Sequence, residues 1–87
     1  MKSIDLLPYI VDRIQEKNVK YEVHKFDSGA VMVDIWIDEK FFVIQIDNNT
    51  IGLSLVTKDT TPFDIIPDHI YTDSSKFKAD FESIFSH

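Results

Sequence analysis

The fold class this sequence predicts is α+β in two layers: a four-stranded antiparallel meander with an N-terminal and a C-terminal helix on one of its faces. Three observations predict it. Apolar residues recur at helical spacing in the first and last segments, the period switches to two in four consecutive runs between them, and those runs are parted by short clusters of Asp, Asn, Ser and Gly. A chain of 87 residues has room for one domain spanning 1–87, whose folding buries roughly 60 to 65% of the unfolded surface. There are no cysteines, so the core must hold the fold without disulfides or thiolate-bound metal.

The first helix is predicted over 6–17. Leu7, Ile10, Val11 and Ile14 share one face. Asp5 is placed to cap it, Pro8 falls in the first turn where its missing N–H costs nothing, and Asn18 is a suitable stop. Then Val19, Tyr21 and Val23 alternate with Lys20, Glu22 and His24, and Asp27-Ser28-Gly29 offers a three-residue hairpin loop with glycine where φ is positive. The second strand, 30–38, turns Val31, Val33, Ile35 and Ile37 to one side and Met32, Asp34, Trp36 and Asp38 to the other. Two-residue turns at Glu39-Lys40 and Asn48-Asn49 lead into strands 41–47 and 50–57. In that register Ile37, Phe42 and Leu55 form one row, Ile35, Ile44 and Leu53 the next, and Val33, Ile46 and Ile51 a third. Every row is apolar, which is the condition for one buried face. The last helix, 75–86, takes Asp73 or Ser74 as its cap and carries Phe77, Phe81, Ile84 and Phe85 in its stripe.

The opposite sheet face is unusual. Trp36, Met32, Phe41 and Val43 are more apolar than an exposed face normally carries, and Glu22 is expected to sit directly across from Asp34, like charge against like. Two arrangements answer this. In one, residues 57–73 fold back so that Phe63, Ile65 and Ile66 cover Trp36 and Phe41, with Lys20 resting on the indole. In the other, the face docks a partner with Trp36 as its anchor inside an acidic rim. The segment 57–73 is long for a connection, stiffened by Pro62 and Pro67 and edged by Asp59, Asp64, Asp68 and Asp73. The residues expected to meet a partner are Trp36, Asp34, Asp38, Met32, Phe41, Gln45, Phe63 and Asp64.

Charge and missing motifs narrow the function. Fifteen acidic against nine basic residues give a net charge of −6, which disfavours nucleic acid and anionic membranes and favours a basic protein. No apolar run approaches a membrane span and the N-terminus lacks the pattern of a signal peptide, so a cytoplasmic location is expected. His24, His69 and His87 fall in no zinc, nuclease or hydrolase spacing, and the only two glycines, Gly29 and Gly52, make no phosphate loop. Glu22, His24, Asp34 and Asp47 share a sheet face, but with no supporting shell in view neither metal nor cofactor is expected. An enzyme is not expected.

The runs GAVMVDIWIDEKFFVIQI, IGLSLVT and PFDIIPDHIYTDSSKFKADF resemble a group of small acidic bacterial proteins of the immunity or antitoxin type. That resemblance implies a protein partner and no catalysis, and it assigns no functional residue. The expected function is therefore a protein-binding module that neutralises a basic partner. The alternative is a self-associating structural or regulatory homodimer.

Overall fold

The computed structural model describes residues 3–56 and 69–85. A 3-10 turn, Ser3–Leu6, runs into α1 (Leu7–Lys17); β1 (Lys20–Lys25), β2 (Val31–Ile37), β3 (Lys40–Ile46), β4 (Ile51–Val56) and β5 (His69–Tyr71) follow, and α2 (Ser74–Ser83) closes the described chain. The fold is α+β, with one antiparallel sheet in the order β1-β2-β3-β4-β5.

Local chemistry explains most boundaries. Pro8 sits in the first turn of α1, and Asn18 ends the helix in the left-handed region at φ 58°, its N–H donating to the Gln15 carbonyl. Asp5 does not cap α1: Leu6 holds the cap position with helical φ and ψ and no side-chain bond, because the preceding 3-10 turn carries the chain in. Asp73 does cap α2, its Oδ1 accepting the Ser75 N–H at 2.9 Å. Gly29 takes φ 92° in the β1–β2 loop, where the Phe26 N–H donates to the Ala30 carbonyl and the Gly29 N–H to the Phe26 carbonyl.

The sheet departs from the predicted one in two respects. It has a fifth strand, β5, which pairs Ile51 with Tyr71, Gly52 with Ile70 and Leu53 with His69. Three residues are too short a stretch to announce a period of two. The β2–β3 register also differs by two residues. Ile37 pairs with Lys40, Ile35 with Phe42, and Val33 with Ile44, so Ile35, Ile44 and Leu53 do not form one row. The turn is Asp38-Glu39, with Asp38 at φ 55°. Aspartate tolerates that conformation better than glutamate or lysine does, and this places the turn one residue earlier. The β1–β2 and β3–β4 registers are as predicted.

One cluster joins both helices to one sheet face. Leu6, Ile10 and Ile14 come from the first helical segment, Phe77, Phe81 and Ile84 from α2 and its end, and Val31, Val33, Ile35, Ile37, Phe42, Ile44, Ile46, Ile51, Leu53 and Tyr71 from the sheet. Leu55 was expected in this core but is 47% exposed; it lies two residues beyond Leu53, the last position of β4 paired with β5 among the described residues. Polar contacts tie the helices together above the apolar layer. Arg13 grips Glu82 through Nε at 2.6 Å and Nη2 at 2.7 Å, and the Tyr9 hydroxyl donates to the same carboxylate at 2.8 Å. The Lys78 ammonium lies 4.7 Å from the Tyr9 ring centre.

The Glu82 carboxyl is held below the usual range, first by the Arg13 hydrogen bond, with partial burial opposing and Tyr9 assisting. A carboxyl depressed in the folded state adds stability above its unfolded value of about 4.3 and loses it as pH falls through the folded value. Glu82→Gln should therefore lower the melting temperature at pH 7, and the gap from wild type should close in melts run below about pH 4. A gap that persists unchanged in acid would show that packing, not charge, is what the variant removes.

Candidate functional site

The face away from the helices is built by the alternate residues of each strand. Its rows, read across the sheet, are His24, Met32, Gln45, Gly52, Ile70; then Glu22, Asp34, Val43, Ser54; then Lys20, Trp36, Phe41, Val56. The shift at β2–β3 is even, so every residue keeps its predicted face while changing its neighbour.

That change creates an aromatic pair. Trp36 now lies directly across from Phe41, the rings stacked at 4.9 Å with 11° between their planes. The Lys20 ammonium stands 4.9 Å from the indole centre on the neighbouring strand, a contact expected with the arrangement in which residues 57–73 fold back over this face. Both rings are half-buried. Three of the four residues in the row beside them are closed to water, Val43 at 0% exposure, Ser54 at 3% and Asp34 at 7%, while Glu22 at its end is exposed. Asp34, predicted as a surface charge, is thus withdrawn from the surface, whereas Asp38 in the turn is exposed. Met32 and Gln45 are half-buried and line an open depression of about 290 Å³ with Phe26 and Asp47. Ile70 continues their row and is 64% exposed. Phe63 and Asp64 lie outside the described residues, as does most of the segment 57–73.

The opposed carboxylates Glu22 and Asp34 are compensated by His24. Its Nε2 is 3.0 Å from Asp34 Oδ2 and 3.5 Å from Glu22 Oε2. Sequence reasoning missed this bridge, although β1 parity already put His24 on the right face, diagonal to Asp34. Donor atoms of Glu22, His24 and Asp34 all lie within 4.8 Å of one another, while Asp47 is not part of that group. Asp34 Oδ1 is buried and has no hydrogen-bond partner among the described residues.

Burial raises the Asp34 carboxyl above the ordinary range; the His24 hydrogen bond and charge oppose this, and Glu22 adds to it. A carboxyl raised in the folded state contributes most below the unfolded value of about 3.9, and that contribution is lost as pH rises through the folded value. At neutral pH the buried charge is a cost. Asp34→Asn, melted in a chelating buffer at pH 7, should be more stable than wild type by about 1 kcal/mol, with the advantage shrinking as pH falls through the raised folded value and gone below about pH 4. A loss of stability at pH 7 would mean that the His24 link outweighs burial.

A second concavity, about 570 Å³, opens between the sheet and α2 beside Leu53, Leu55, His69, Tyr71, Asp80 and Ile84. There the Tyr71 hydroxyl donates to Asp80 at 2.6 Å, and its ionisation is pushed up by burial and by that bond. That bond ties β5 to α2. No helix among the described residues is long and apolar enough to cross a membrane. No family model, curated protein or solved structure matches the chain.

Proposed function

We propose that this chain is a protein-binding module of the immunity or antitoxin kind, which takes up a basic polypeptide on the sheet face opposite its helices. The observation that carries the reading is the Trp36–Phe41 stack, half-open to water on a face whose rim presents the exposed acids Glu22, Asp38, Glu39 and Asp47. Paired aromatics within a charged rim have the composition of a binding hot spot. The net charge of −6 steers a cationic partner toward it. Met32, Gln45 and the exposed Ile70 extend the contact surface along the adjoining edge. A cytoplasmic location belongs to the same reading, in keeping with a cysteine-free composition.

Self-association through this face is the second reading, and the exposed side chains of Phe26 and Ile70 favour it. Light scattering on the purified chain separates the two. A monomer at tens of micromolar that captures a basic polypeptide at low salt, and releases it as salt rises, supports the module. A dimer that dissociates on Ile70→Lys and captures nothing overturns it in favour of self-association.

A further inference from the structure

Glu22 and Asp34 face each other across the β1–β2 pair, and His24 stands two residues along the same strand face. Like charges at directly opposed sheet positions are unfavourable, and one of these two is nearly withdrawn from water. The imidazole lies against both carboxylates, yet Asp34 Oδ1 still has no partner among the described residues. A buried carboxylate oxygen left in that state calls for a further donor or a cation. Glu22 and His24 are about half exposed, so the group can be reached from solvent.

The spacing matches a small cation. A tetrahedral ion with ligand bonds near 2.0 to 2.1 Å holds its donors about 3.3 Å apart, and the imidazole nitrogen stands 3.0 and 3.5 Å from the two carboxylate oxygens. The two carboxylates lie within 4.8 Å of each other, so side-chain rotation can close all three donors on one ion. The donor set narrows the choice of ion. An imidazole is a poor ligand for magnesium or calcium, whereas one nitrogen with two carboxylates suits zinc, nickel or cobalt.

We propose that Glu22, His24 and Asp34 form a three-donor site for a divalent transition-metal ion of the zinc type, with solvent completing the coordination. The ion would neutralise the facing carboxylates and pin the edge strand β1 to β2. Neither Trp36 nor Phe41 is a ligand, so the site can fail or hold apart from the aromatic anchor, although it shares Glu22 with the acidic rim.

Trp36 supplies the readout. It is the single tryptophan and lies two residues from Asp34 on the same strand face. The full chain, stripped with chelator, is titrated with zinc, nickel and magnesium chlorides, following heat of binding and Trp36 emission. Zinc should bind saturably at one equivalent and raise the melting temperature, nickel should quench Trp36, and magnesium should do neither. His24→Ala and Glu22→Gln, both at exposed positions, should each weaken zinc binding at least tenfold, and His69→Ala should leave it unchanged. Zinc binding should weaken as the buffer is acidified, because protons compete with the ion for its donors. Absence of saturable binding in wild type overturns the proposal, as does binding that survives both His24→Ala and Glu22→Gln or disappears in His69→Ala.

Discussion

Phe81→Ala is expected to destabilise the fold by about 3 to 5 kcal/mol, the range for deleting a fully buried aromatic ring. Phe81 is 0% exposed, and its ring lies 5.5 Å from Phe77, 5.2 Å from Phe85 and 6.0 Å from Tyr9. It therefore joins α2 to α1 as well as to the sheet layer. Truncation removes ring contacts on three sides, and the neighbours are themselves rings whose planar shapes collapse poorly into a void. A domain of this size has a total stability of order 5 to 10 kcal/mol, so the variant should be close to half unfolded under mild heat. Urea denaturation should show a lower midpoint with an unchanged slope, while Asp47→Ala, an exposed position before the β3–β4 turn, should move the midpoint little. A loss below about 1 kcal/mol for Phe81→Ala would contradict the central place given to α2 in the core.

How much of this fold was legible depends on what each sequence signal can discriminate. Period two in β2 separates Val33 and Ile35 from Asp34 and Trp36, the turns carry that parity to Ile44 and Val43 in the evenly apolar β3, and the structure keeps all of these on their expected faces. Periodicity is blind, however, to a slip of two, because an even slip exchanges one apolar row for another. The discriminating signals were finer: the left-handed tolerance of Asp38 and the gain from setting Trp36 against Phe41. Turn chemistry read at Asp38 rather than at Lys40 would have found both. Strand β5 was not legible for a different reason. Its three residues follow a proline-broken segment and hold their place through Tyr71, which reaches the core and donates to Asp80, a contact no local pattern encodes.

The candidate site divides in the same way. Face membership of Trp36, Met32, Phe41, Gln45 and Asp34 follows from parity alone. Burial does not: Asp34 is withdrawn together with Val43 and Ser54 of its row, where a surface charge was expected. The His24 bridge lies on a cross-strand diagonal that the predicted β1–β2 register already contained; reading along rows alone passes over contacts between neighbouring rows.

Trp36→Ala is expected to weaken capture of the basic partner by at least about 2 kcal/mol, roughly thirtyfold in Kd, mainly through faster dissociation. The same change must also cost some stability, since it removes the Phe41 stack and the Lys20 ammonium contact, together worth about 1 to 2 kcal/mol. Affinity and stability have to be separated. Trp36→Phe keeps a ring against Phe41, so it should recover most of the stability while regaining only part of the affinity. Asp38→Asn acts on encounter rather than on the docked state: it should slow association at low ionic strength, with the effect fading above about 0.15 M salt, where screening acts within about 8 Å. Emission from the single tryptophan reports on the face directly. A half-buried indole should be partly open to acrylamide in the free chain and become protected and blue-shifted when partner is added. If Trp36 is already blue-shifted and fully protected in a proven monomer, and Trp36→Ala lowers the melting temperature without changing Kd, the indole belongs to the monomer's interior and cannot be the anchor.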